Sequence, residues 1–157
     1  MSHKCEASLV TCEDFRLHQR EDGRNYIAEF IKDLGKDCDL ITRGGGIQDL
    51  VRSPYQGFWG WFLRCMGLIF KKSLLRDIKV SVKLHQVNTV YLVNHEDCGA
   101  YGNMHFSSRY QEIARHKEDL KAAKEIILKK FPQINVKLYF GELKEGTNDV
   151  FIIKEVA

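Results

Sequence analysis

Long apolar runs, proline and a one-sided charge are what this chain of 157 residues lacks, and each absence removes a class of protein. No stretch reaches the roughly 18 consecutive apolar residues that a membrane-spanning helix needs. Two prolines and no low-complexity tract exclude fibrous and disordered chains, and 44% hydrophobic residues suit one domain over 1–157 with one core. With 24 basic and 21 acidic residues the net charge is only +3, and the basic ones form no long run. Nothing there argues for nucleic acid as a partner. The stretch MSHKCEASLVTCEDFR sets charges on both sides of a very short apolar segment, unlike a secretory signal. Five cysteines, at 5, 12, 38, 65 and 98, are odd in number and irregular in spacing. They read as reduced cytosolic thiols available to metal, not as a disulfide framework, so a cytoplasmic protein is expected.

What is present is an alternation of apolar strands and amphipathic helices. ASLVTC (7–12), CDLITR (38–43) and TVYLVNH (89–95) are compact apolar runs that read as strands. Between the first two, Ile27, Phe30, Ile31 and Leu34 recur at helical spacing, with Gly35 as a stop. SLLRDIKVSVKLHQ (73–86) reads as a helix capped by Ser73, and a long helix over about 108–131 is ended by Pro132. VKLYFGEL and DVFIIKEV, joined by KEGTN, close the chain as a hairpin. The pattern predicts an α/β fold with a mostly parallel central sheet of order 2-1-3-4 plus an antiparallel edge strand, flanked by helices.

An aromatic-rich elaboration at about 53–70, SPYQGFWGWFLRCMGLIF, fits this alternation poorly. It reads either as a helix or helix-turn on the core or as part of a subunit interface, where aromatic residues are enriched. A membrane-surface helix is the weakest reading, because the segment lacks a strongly charged opposite face.

The chemistry gathers at two strand ends. Ligands of open parallel sheets bind beyond the carboxyl ends of strands, where the strand order reverses. Cys12 ends the first strand, His95 ends the third, and Cys98 lies one turn further on. In the order 2-1-3-4 these strands are neighbours, and the three side chains converge. Two thiolates and an imidazole suit zinc, and three protein ligands leave a fourth position open, as catalytic sites do. Taken alone, H-x-x-C is a weak signal and more often a buried cysteine beside a loop histidine. Among the other thiols, Cys38 and Cys65 read as core or interface residues, while Cys5, with His3 nearby, could meet a metal adventitiously. Histidines 18, 85, 105 and 116 are expected to be solvated.

C-x-D-x-R at the end of the first strand, taken with H-x-x-C-G at the end of the third, resembles the β-class carbonic anhydrases. LITRGGGIQDLV falls where that family carries its R-N-A-G-like loop, and SLLRDIKVSVKLHQVNTVYLVNHEDCG resembles its helix leading into the H-x-x-C strand. The resemblance implies one zinc per chain on Cys12, His95 and Cys98, with Asp14 and Arg16 as a catalytic dyad beside it. Asp14 would either pair with Arg16, leaving the fourth position to water, or ligate the metal itself. Gly44, Gly45 and Gly46 would form the rim of the substrate pocket through backbone N–H groups or close approach. The chain departs from the family in having Gly44 and Gly45 where asparagine and alanine are usual, no glutamine ahead of the first strand, and no helices before it.

The activity so implied is reversible hydration of CO2 to bicarbonate by a zinc-bound hydroxide, a carbonate dehydratase. Its partners would be CO2 and bicarbonate and further copies of the chain, as a homodimer or higher homo-oligomer, without nucleic acid or membrane-surface contact. Two other readings stand beside it: hydrolysis of carbonyl sulfide or carbon disulfide on the same scaffold, and a zinc-binding scaffold or regulatory protein without turnover.

Overall fold

The computed structural model describes residues 4–51 and 60–157, the side chains of 60–67 excepted. Five strands form one sheet: β1 (Ala7–Cys12), β2 (Cys38–Arg43), β3 (Thr89–His95), β4 (Asn135–Leu143) and β5 (Phe151–Glu155). Their order is β2-β1-β3-β4-β5. The first four pair in parallel and β5 runs antiparallel to β4, so the expected topology is the one found.

β1 and β3 are buried along their whole length, which is why both read as unbroken apolar runs and not as alternating ones. Leu9, Tyr91 and Val93 face the layer that holds α1 (Tyr26–Leu34). Val10, Val90 and Leu92 face the opposite layer. There they meet α2 (Gln48–Val51), α3 (Gly60–Leu84) and α4 (Arg109–Lys130). Leu74 and Ile78 are fully buried one turn apart on α3, each stabilising by about 1.5–3 kcal/mol.

Helix boundaries follow local chemistry. Asn25 caps α1 by accepting from Ala28 N, and Gly35 ends it at φ 61°, a left-handed conformation that favours glycine. Ser108 caps α4 by accepting from Gln111 N. Ser73 does not cap a helix, contrary to expectation: α3 runs through it from Gly60, and its hydroxyl accepts from Arg43 Nη2 at 3.1 Å. No proline interrupts 60–73, and leucine, arginine, methionine and lysine there favour helix, so a plausible cap sits inside a longer element. The aromatic elaboration lies outside the described residues over 53–59, and from Gly60 its backbone is helical.

Candidate metal centre

Parallel pairing of β1 with β3, in the register Thr11 to Val93, brings the ends of both strands to one edge of the sheet. Cys12 and His95 are their last residues, and the chain after His95 turns back to place Cys98 beside them. The ligand atoms of Cys12, His95 and Cys98 lie within 4.8 Å of one another, all three side chains buried. Among the described residues this is the one cluster of its kind. Cys12 Sγ and Cys98 Sγ are 3.7 Å apart. Two sulfurs on one tetrahedral zinc, each at about 2.3 Å, stand about 3.8 Å apart, so the spacing fits that ion.

The histidine is set for the same point. His95 Nδ1 lies 2.8 Å from the Glu96 carbonyl, which can only accept, so Nδ1 carries the proton. Nε2 is left with its lone pair, buried and without a hydrogen-bond partner among the described residues. A metal ligand whose other nitrogen donates to a carbonyl is the usual arrangement in metal sites. Phe151 of β5 meets the imidazole edge-on at 5.6 Å and fixes its plane from the apolar side.

The thiols also act as a pair. The hydrogen bond shared with Cys98 lowers the Cys12 pKa to about 4 against the effect of burial. Its partner moves the other way: Cys98 is pushed up because it is the donor, because it is buried, and because a second thiolate would face the first. One proton leaves this pair readily and the second does not. A divalent cation is the kind of neighbour that would release the second.

Asp14 and Arg16 stand at the rim. Asp14 caps a short 3-10 turn, Phe15–Leu17, by accepting from Arg16 N at 2.9 Å. The Arg16 guanidinium then closes on the same carboxylate, Nε to Oδ1 at 3.1 Å and Nη2 to Oδ2 at 2.7 Å. Burial pushes the Asp14 carboxyl up, but the Arg16 hydrogen bonds outweigh it and hold the group below the usual range. Asp14 Oδ2 lies 3.8 Å from His95 Nε2, so the carboxylate faces the cluster while Arg16 keeps hold of it.

The three glycines after β2 are not equivalent. Gly45 and Gly46 have φ of 75° and 60°. A Cβ on Gly46 would stand 2.6 Å from Asn94 Oδ1 and 3.4 Å from Cys12 N, and one on Gly45 would stand 2.9 Å from Ala100 Cβ. The loop is packed against the end of β1 and the turn after Cys98, and only glycine allows that approach. Gly44 has no such constraint; its Cβ would meet Glu13 Oε1 at 3.4 Å.

Several expectations for other side chains need correction. His116 is fully buried, with Nδ1 3.1 Å from Asn94 Nδ2 and its ring 3.8 Å from that of Tyr101. His18 Nε2 lies 2.8 Å from the Cys12 carbonyl, and His85 Nδ1 lies 2.6 Å from Asp39 Oδ2, so neither is merely solvated. Cys5 donates to the carbonyls of Asp37 and Ala7, while His3 lies outside the described residues. Glu96, although between two candidate ligands, is buried and paired with Arg109, and it accepts from Leu143 N at 2.8 Å. Residue types along the chain gave no hint of that pair.

No family model matches the chain. An uncharacterized protein of Rickettsia conorii is 28% identical over 151 residues, 92% of this chain and 72% of that protein. Another, of Rickettsia bellii, is 30% identical over 134 residues, 82% of this chain and 71% of that protein. Among solved structures, a tetrameric β-carbonic anhydrase of Sordaria macrospora superposes with a TM-score of 0.57 at 12% identity, covering 98% of this chain and 81% of its own. A β-carbonic anhydrase of Trichomonas vaginalis gives 0.55 at 11% identity, covering 99% and 84%. A carbon disulfide hydrolase in its apo form gives 0.50 at 15% identity, covering 90% and 76%. The chain thus belongs to one family with the uncharacterized Rickettsia bellii protein, and its fold is that of the β-carbonic anhydrases.

Proposed function

We propose that this protein is a zinc enzyme that hydrates CO2 reversibly to bicarbonate. The observation that carries the reading is the convergence of Cys12, His95 and Cys98 next to an Asp14 that Arg16 holds toward them. Zinc held by these three side chains would act as a Lewis acid, bringing the pKa of a water molecule there to near 7.

The remaining work falls to the chain. Asp14 would accept a hydrogen from that water and turn its lone pair toward the substrate. Arg16, which holds the carboxylate, would keep it from swinging onto the metal. CO2 is small and apolar and needs dry surroundings more than polar contacts; the cluster is buried, with Phe151 against His95. Gly44, Gly45 and Gly46 would form the rim of the substrate site, and the latter two approach Asn94 and Ala100 closely. The sum is CO2 plus water to bicarbonate plus a proton, and water displaces the product.

The test is indicator-coupled stopped-flow CO2 hydration on zinc-loaded protein, with carbon disulfide hydrolysis measured on the same sample. Hydration well above the buffer rate, lost in Cys98→Ser together with its zinc, supports the proposal. Serine stays protonated near neutrality and cannot replace a thiolate ligand. Turnover of carbon disulfide alone would move the reading to the hydrolase. Stoichiometric zinc with neither activity would leave a zinc-binding scaffold.

A further inference from the structure

Between His95 and Cys98 the chain passes through Asp97 at φ 55°, in the left-handed region. A non-glycine residue stays there only where its surroundings hold it. The hold comes from α4. Glu112 Oε1 accepts from Asp97 N at 2.7 Å, on the residue next to Cys98.

Below Glu112 stands a buried histidine. His116 follows that glutamate by one helical turn, with its ring fully buried. Asn94 Nδ2 can only donate, so His116 Nδ1 accepts and the proton sits on Nε2, 3.6 Å from Glu112 Oε1. Burial pushes the Glu112 carboxyl up, but His116 and the Asp97 backbone N–H outweigh it, and the group is held below its usual range. Helix α4 therefore grips the chain on both sides of His95, at Asn94 through His116 and at Asp97 through Glu112.

The same turn holds the dyad. Arg16 Nη1 donates to Asp97 Oδ2 and Nη2 donates to the Asp97 carbonyl, both at 2.7 Å. The residue whose N–H Glu112 fixes is thus the one that fixes the guanidinium holding Asp14. We infer that Glu112 is a positioning residue of the candidate centre, setting through the Asp97–Cys98 turn both the Cys98 sulfur and the Asp14–Arg16 pair. The inference rests on the metal-centre reading above. A purely structural tie of α4 to β3 would cost stability and leave the metal unaffected, so the two are separable.

Two near-isosteric changes divide the roles of Glu112. Glu112→Gln keeps an oxygen where Asp97 N–H and His116 can reach it. Glu112→Asp keeps the charge but withdraws the oxygen by one methylene. Zinc affinity, by competition with a chromophoric chelator, and the visible spectrum of the cobalt-loaded protein are compared with wild type, alongside thermal melting without metal. Glu112→Asp is expected to bind zinc about 10- to 100-fold more weakly with shifted cobalt bands, and Glu112→Gln to stay within about threefold with wild-type bands. Wild-type affinity and bands in Glu112→Asp, or a Gln variant weaker than the Asp variant, would overturn the inference. Wild-type protein that takes up no metal would overturn the centre itself, and the inference with it.

Discussion

At the scale of single residues, Arg16 tests the proposed mechanism more sharply than the candidate metal ligands do. It reaches Asp14, Asp97 and the Asn148 carbonyl at once, so its loss frees the Asp14 carboxylate beside the cluster. Arg16→Ala is expected to keep its zinc, because both thiolates and the imidazole remain, and to lose most CO2 hydration as Asp14 moves to the fourth position. Asp14→Ala should likewise keep zinc and lose turnover. Metal content and hydration rate from pH 6.5 to 9 check both; wild-type rates throughout would leave the dyad without a catalytic role. His116 makes a second case, in stability. Burial lowers its pKa despite the opposing pull of Glu112, so the folded protein holds it neutral where the unfolded chain, near pH 6.5, takes up a proton. More protons on the unfolded state mean that stability falls as pH drops below about 6.5, until the depressed folded value is passed, by at most about 1.4 kcal/mol per pH unit. His116→Gln should flatten that limb in urea titrations between pH 7.5 and 5.5 with chelator present. An unchanged slope would overturn the assignment.

The element scale joins the glycine loop to the ends of the strands. An alanine at Gly46 meets two costs, a left-handed φ and a Cβ 2.6 Å from the Asn94 amide, in a place where β1 and β3 are already close-packed. Gly46→Ala should destabilise by roughly 2–4 kcal/mol and weaken metal uptake, whereas Gly44→Ala should change stability by less than about 1 kcal/mol. Urea denaturation of the two variants checks the contrast, and equal losses would show that the loop is merely sensitive to bulk. The three glycines were legible as a special turn, but which of them bear the constraint depends on what lies opposite, and Asn94 comes from another strand. The same limit runs through the rest of the comparison. β1 and β3 were readable because full burial leaves nothing but apolar residues, and their ends carried Cys12 and His95 with them. The boundary of α3 was not, since Ser73 has the chemistry of a cap wherever it stands. Buried His116 was missed because a helical histidine among charged neighbours looks solvated until Asn94 and Tyr101 are placed beside it. Glu96 and Glu112 were missed for the same reason: their partners are backbone N–H groups and an arginine brought near only by the fold.

At the scale of the whole molecule, what is left uncovered matters as much as what is packed. β2 is an edge strand paired only with β1, and Leu40 on it is 48% exposed. Val80 and Leu84 lie exposed one turn apart on α3, and Leu68, Ile69 and Phe70 are exposed further up the same helix. Leu40 and Val80 line one hollow of about 660 Å³, together with Asp39, Arg43, Asp77 and His85. Of its polar groups, Arg43 pairs with Asp77 and His85 lies against Asp39, while Glu13 stands exposed at its edge. Exposed apolar side chains beside an open strand edge suit a second copy related by a two-fold axis, where the same patch serves both subunits. The protein is therefore expected to be a homodimer or larger at micromolar concentration, by light scattering coupled to size exclusion. Val80→Glu would place a carboxylate at the centre of that patch in each subunit, two like charges facing each other, and should shift the mass toward the monomer while the zinc content holds. Wild-type protein running as a monodisperse monomer would refute the assembly. A Val80→Glu protein that keeps the wild-type mass would place the contact elsewhere, because no dimer through this hollow could bury that pair of carboxylates without cost.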